Sequence, residues 1–575
     1  MRTWIVRSSR TMTNKVMQEI LKKKIAVALG VAAEQVAITV PERDEFGHYS
    51  TNIAMRMAKE AKKAPLALAQ EYVAALKAAD QDGVFAKVEA VRPGFINLWL
   101  SDKFLQEQFA SRDEKLNIGD GKTVIVEYSS CNIAKPMHVG HLRSTFIGDA
   151  LANIHAYVGY NVVRWNYLGD WGTQFGKLIA AYRLWGNKET VEKDPITELV
   201  KLYVRFHEEM KTNPELEKQG QLEFKKLEDG DKENRKLWEW FKDESLLVFH
   251  KMFKRLGVKF DEEIGEAFYV DAVYDLFKNL EKGGFLVQSP EGGKIVNLDA
   301  FKLPVALLEK SDGASLYLTR DLALLRHRNS RYKPEKILIV VGNEQALHLQ
   351  QIAAIGRLLE QKTLPEHIKF GLVLGEDGKK LSTREGKAVT LEDVVNEITT
   401  RAYAVVSEKN QTLSEAEKKA VAEAVGIGAL KYNDLKENRN SGIVFNWEQM
   451  LSFSGDSAPY LQYTCVRLMN VIRKAEGVKK ADLADADDAM KPALIKKILD
   501  FNDTVALCAE TCYTSHLAKY LFELAKLGNQ YYESVRILDD ENLERRDARL
   551  MLIGAVAETL TKGLNLLGIQ VPERI

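Results

Sequence analysis

Two hydrophobic periods alternate along the middle of this chain. Short β-branched or continuous apolar runs at 123–128, 161–168, 336–341 and 370–374 read as buried strands. Between them apolar residues recur at helical spacing, as in Leu142, Phe146, Ile147 and Ala150, and again in a helix that runs on to Glu360. The stretch 315–323 reads as a strand running into a helix. Strand–helix alternation of this kind predicts a parallel sheet. A different pattern interrupts it at about 181–295, where Leu199, Leu202, Tyr203, Phe206 and Met210 mark a long amphipathic helix and a hairpin follows near 283–298. This is an insertion between two halves of the sheet, and it reads as a plain helical subdomain. Ahead of the sheet, residues 1–115 predict a small α+β unit: a helix over 14–28, two helical stretches broken near Pro65, and a turn at Arg92-Pro-Gly leading into a strand. From about 395 the chain is helical to its end, as a connector over 395–450 and a bundle over 451–575.

Composition narrows the class. At 575 residues and 46% hydrophobic, the chain is long enough for three or four domains with sizeable cores. Lys+Arg and Asp+Glu both number 81, so any nucleic acid must be held by local patches rather than by net charge. One such patch is the face shared by Arg467, Asn470, Arg473 and Lys474. No apolar run reaches the roughly 20 residues of a membrane helix, and the basic start lacks a signal-peptide core. Four cysteines, at 131, 465, 508 and 512, make no disulfide framework in a chain this long. The expectation is a soluble cytoplasmic protein with no membrane partner, read as a monomer.

The richest chemistry lies at 123–150. A strand ends at Glu127 and Tyr128, a turn-rich segment follows in which Pro136 discourages helix at Lys135, and a helix opens beside His138, Gly140 and His141. A helix start presents free backbone N–H groups and the positive end of a dipole, which suits phosphate. Two imidazoles add donors, and Gly140 leaves room for a flat ligand against the backbone. His-x-x-His also fits a metal pair, but no Cys or acidic residue stands at a third-ligand spacing, so zinc is disfavoured and no bound metal is expected. A second Gly-rich helix entry, at 169–176, marks the nucleotide side of a parallel sheet.

His138-Val-Gly-His141 is similar to the His-Ile-Gly-His signature of class I aminoacyl-tRNA synthetases, and the surrounding 129–145 resembles the arginyl-tRNA synthetase branch. The segments 92–100, 166–176, 380–384 and 566–575 carry the same resemblance, which covers nearly the whole chain. It implies a Rossmann-like parallel-sheet catalytic domain over 116–394, an N-terminal domain over 1–115 that meets the tRNA elbow, a stem-contact connector and an all-α anticodon-binding bundle. It implies arginine activation with ATP and Mg²⁺, then transfer to the terminal 2′-hydroxyl of tRNA(Arg), with tRNA generally needed for the first step.

The resemblance also assigns residues. Glu127, Tyr317 and Asp321 would meet the guanidinium, which takes planar carboxylate acceptors well. Asn132, Ser130, Cys131 through its backbone, Gln345 and His141 would meet the α-amino and carboxylate groups. Family members usually carry proline where Cys131 stands. His138, Gly140, His141, Lys380, Ser382 and Arg384 would hold ATP, with Lys135 a further cation. In Lys380-Leu-Ser-Thr-Arg384 the family's fourth-position lysine is replaced by Thr383, so Arg384 is left to supply that charge. Phe95 and Asn97 would meet an unpaired tRNA base by stacking and edge contact. A class I synthetase for another amino acid and a catalytically silent synthetase-like RNA-binding protein are the rival readings.

Overall fold

Strand–helix alternation is realised as a five-stranded, wholly parallel sheet. The computed structural model describes residues 17–41, 43–112, 116–311, 313, 316–379, 389–477 and 479–575. The strands lie in the order Pro365–Phe370, Lys336–Gly342, Thr123–Glu127, Asn161–Asn166 and Glu262–Glu263, each parallel to its neighbour. Alternate residues of a strand point to opposite faces, and both faces are covered. Val124, Val126, Leu338 and Val340 share a core with Leu142, Phe146 and Ile147 of the helix Val139–Tyr157. Ile125 and Ile337 instead join Leu318, Leu322, Leu325, Leu349 and Ile352 of the helices Tyr317–Tyr332 and Ala346–Leu358. Chain order reverses between the strands 123–127 and 336–342. That reversal opens the crevice at the carboxyl ends of the strands where ligands of such sheets bind.

One predicted element is corrected. Among the described residues no strand runs directly into the helix at 317, and residues 314 and 315 lie outside them: Leu316 and Leu318, two positions apart, mimic alternation, but Leu318, Leu322 and Leu325 continue at helical period and are buried. The strand upstream, Ala306–Glu309, belongs to a separate antiparallel sheet with Leu286–Gln288 and Lys294–Val296. The insertion is helical, with Pro195–Met210, Glu215–Glu228 and Lys232–Leu256 as its main elements. The helix Glu215–Glu228 approaches the helix Thr173–Trp185 so closely that a Cβ at Gly176 would lie 2.2 Å from the Gly220 carbonyl oxygen.

In the N-terminal part a four-stranded antiparallel sheet is packed by the helices Met17–Leu29 and Pro65–Ala79. The helices Leu391–Lys409 and Glu415–Leu435 lead to the bundle of Ala458–Lys474, Lys491–Thr511, Ser515–Ser534 and Leu543–Leu566. All four cysteines are buried and unpaired. Among the described residues, no helix is long and apolar enough to cross a membrane.

Candidate active site

The helix Val139–Tyr157 is capped by its own histidines. His138 is the N-cap, and its Nδ1 accepts from the Gly140 N–H at 3.0 Å. His141 reaches back, its Nδ1 accepting from the His138 N–H at 3.0 Å. This is a capping box built from imidazoles. Each ring thereby spends Nδ1 as an acceptor, so in the neutral ring Nε2 carries the proton and is a donor. Burial, then the neighbouring His138, push the His141 imidazolium down to about 3, so His141 donates as a neutral ring. The space over Gly140 is filled by the His138 ring, since a Cβ there would sit 2.8 Å from Cε1. The room that glycine leaves is therefore taken by imidazole. Ser144, one turn into the helix, donates to the Val340 carbonyl at 2.6 Å and accepts from the Ser129 N–H at 3.0 Å. These two bonds fix the helix mouth against the carboxyl ends of the two strands that flank the switch point.

Across the same edge lies a cavity of about 350 Å³. Ile337, Ile339 and Val341 form its apolar floor, and Glu127, Glu266, Tyr317, Asp321, Gln345 and His348 supply its polar wall. Tyr317, Asp321, Leu324 and Arg328 all reach it because spacings of four, three and four place them on one helical face. The three acids are held differently. Glu127 accepts from Arg328 Nη2 at 2.5 Å, with the guanidinium 4.5 Å from the centre of the Trp165 ring. Burial raises its carboxyl pKa against the pull of Arg328. Glu266 accepts from Arg320 Nε and Nη2 at 2.9 and 2.8 Å; burial pushes its carboxyl up to about 8 despite Arg320, with Asp321 adding to the rise. Asp321 meets His348 Nε2 at 2.5 Å. Asp321 is thus no helix cap; it sits beyond the first turn with its carboxylate in the cavity.

Loop contacts tie the cavity to the helix mouth. Asn132 bridges to Gly169, with Gly169 N–H donating to the Cys131 carbonyl at 3.0 Å. Gly172, at φ +134°, lies in a conformation that side chains rarely adopt, and the Tyr317 hydroxyl lies 4.0 Å from where its Cβ would stand. Ser130 adopts left-handed backbone at φ 50°. The Cys131 side chain is buried beside Ser129 Oγ at 3.3 Å, and burial pushes its thiol up to about 12, so it is no nucleophile. Asn132 and Gln345 are exposed at the edge. Lys135 is exposed and donates to Gln174 Oε1 at 3.4 Å. Lys380, Ser382 and Arg384 lie outside the described residues.

The expected RNA contacts divide. Phe95 is half-buried at the start of the strand Phe95–Leu100, whereas Asn97 is buried and accepts from Ser50 Oγ at 2.8 Å. Its amide oxygen is therefore engaged within the sheet. On the helix Ala458–Lys474, Asn470, Arg473 and Lys474 are exposed. Arg467 packs over Tyr532 at 4.7 Å and pairs with Glu533 at 3.3 Å.

With this geometry in place, comparisons with known proteins decide the family. Residues 105–447 match the family described as tRNA synthetases class I (R), catalytic domain. The chain belongs to the arginyl-tRNA synthetase family. Residues 15–100 match the arginyl-tRNA synthetase N-terminal domain and 461–575 the DALR anticodon binding domain. The arginine–tRNA ligase of Streptococcus suis is 42% identical over 97% of this chain and all of its own length. Arginine–tRNA ligase 1 of Bacillus cereus is 42% identical over 94% of this chain and 95% of its own. The solved arginyl-tRNA synthetase of Thermus thermophilus superposes with a TM-score of 0.81 at 27% identity, covering 98% of this chain and all of that one. That of Plasmodium falciparum, at 24% identity and a TM-score of 0.82 over the same shares, shares the fold.

Four polar residues lining the cavity escaped sequence reasoning, Tyr167, Glu266, Arg328 and His348, as did Arg320, which pairs with Glu266. Arg328 had a signal, an arginine on the face of the 317–332 helix that carries Leu318, Leu322 and Leu325 inward. Glu266, at the end of the insertion, had none.

Proposed function

We propose that this chain activates L-arginine with ATP and transfers it to tRNA(Arg). The carrying observation is the cavity at the switch point, where three carboxylates surround a space of about 350 Å³ beside a histidine-capped helix mouth. A neutral amino acid side chain would leave Asp321 without a cation in a partly apolar site. A guanidinium supplies that cation with planar N–H donors suited to a carboxylate. In this reading Asp321 and Tyr317 bind the guanidinium head, Glu127 shapes the same end through its Arg328 pair, and Glu266 closes the wall. Ser130, the Cys131 backbone, Asn132, Gln345 and His141 face the α-amino and carboxylate groups.

The first step forms a bond between an arginine carboxylate oxygen and the α-phosphorus of ATP and breaks the bond to pyrophosphate. The protein's work is positioning and charge stabilisation. His138 and His141 donate Nε2–H to phosphate oxygens, and the helix mouth adds its dipole. Lys380, Ser382 and Arg384 serve the leaving pyrophosphate, with Lys135 at the rim; Mg²⁺ enters with ATP as part of the substrate. In the second step the terminal 2′-hydroxyl attacks the arginyl carbonyl and AMP leaves. Phe95 and the exposed face of Asn470, Arg473 and Lys474, with Arg467 at its edge, serve tRNA. Charging total tRNA with each labelled amino acid in turn tests this. Arginine alone should be incorporated; charging with a different amino acid, or none, overturns it.

A further inference from the structure

The three acids of the cavity do not start from the same state, and the difference singles out a residue. Glu127 and Glu266 are each already matched by an arginine of the 317–332 helix, Arg328 and Arg320. Asp321 is bonded instead to the imidazole of His348, on the neighbouring 346–358 helix. That ring carries a charge only when protonated. Asp321 is therefore the carboxylate an incoming guanidinium can take without expelling a resident cation.

We infer that His348 is a positioning residue that presents Asp321 to the substrate guanidinium: its ring holds one carboxylate oxygen through Nε2 and leaves the other turned toward arginine. The geometry fits this role. The bond is 2.5 Å from Nε2 to Oδ2, so the ring fixes the carboxylate's orientation through a single oxygen. Both side chains line the cavity wall.

Other groups face the same space. Asp321, Tyr317 and Arg328 come from the 317–332 helix, Glu127 from the central strand, Tyr167 from the segment after the next strand, and Glu266 from the segment after the insertion. Burial shifts both phenols upward. Glu266, pushed up to about 8, gains negative charge as pH rises, so variants are compared with wild type at one fixed pH.

This inference rests on the arginine reading, and one assay distinguishes the two. Arginine-dependent, tRNA-supported exchange of pyrophosphate into ATP is followed at one fixed pH for wild type, His348→Gln and His348→Ala. Glutamine places an amide N–H near the position of Nε2. For His348→Gln the arginine KM should stay close to wild type. For His348→Ala the arginine KM should rise about tenfold or more, the scale of a lost hydrogen bond to a charged group, with the ATP KM unchanged and kcat within a few-fold. An unchanged arginine KM in His348→Ala, or an equal rise in His348→Gln, overturns the inference. Absence of arginine-dependent exchange in the wild type would instead sink the proposed function and this inference with it.

Discussion

The decisive side chains act through what their other atoms are doing. His141 binds a backbone N–H with Nδ1, and burial keeps it uncharged, so what it can offer a phosphate is one oriented Nε2–H donor. His141→Ala should slow adenylate formation by a factor on the order of 10², the scale of a removed transition-state donor. The same variant loses half of a capping box, worth about 1 kcal/mol of helix stability; a melting measurement alongside the rate separates the two effects. Asp321→Asn keeps the shape of the cavity and removes its one carboxylate without an arginine partner. Arginine KM should rise steeply or charging fail while ATP still binds. Normal arginine charging by that variant would take Asp321 out of the site.

At the scale of elements, close approach sets the position of the nucleotide edge. The helix Thr173–Trp185 begins at Gly172, whose φ of +134° turns the chain past Tyr317, and it is pinned to the insertion by Gly176. A methyl at Gly176 would meet the Gly220 carbonyl at 2.2 Å and Phe224 Cβ at 2.5 Å, both on the partner helix and unable to swing away. Gly176→Ala should therefore destabilise by about 1–3 kcal/mol through overpacking, read as a lower midpoint in thermal unfolding. The pattern of apolar residues made the 173–185 helix and the insertion legible separately. Their contact was not, because a glycine that permits close packing looks the same in sequence as one that permits a turn.

Across the whole molecule, buried charges join segments that are far apart in the chain. Arg143, two residues after His141, is fully buried with Asp434 at 2.9 Å and donates to the carbonyls of Gly371 and Ser441 at 2.8 Å each. It ties the signature helix both to the connector and to the short parallel pair Val373–Leu374 and Ile443–Val444. Asp434→Ala leaves that guanidinium uncompensated and should cost about 3–5 kcal/mol, measurable by denaturant unfolding. A second seam is pH-sensitive. Tyr49 of the N-terminal sheet donates to Asp500 at 3.1 Å on the helix Lys491–Thr511, and Asp503 beside it is pushed up to about 7 by burial and by Asp500. An acid raised above its unfolded value contributes stability that is complete below about pH 4 and is lost as pH rises to about 7. Stability should decline across that window, and Asp503→Asn should flatten the decline.

The sequence alone determined the strand–helix alternation of the parallel sheet, the histidines at a helix mouth and the family, because period, capping and motif are local and each leaves its mark within a few residues. Through the family resemblance it also assigned Tyr317 and Asp321 to one ligand. Tertiary structure alone decided that Glu127 and Glu266 come already paired with arginines, that Asn97 is spent inside a sheet, and that His348 holds Asp321. Those outcomes depend on which side chains meet across 27 to 201 positions of chain. A pairing at that range costs and returns its energy only in the folded state, so no periodicity in the sequence records it.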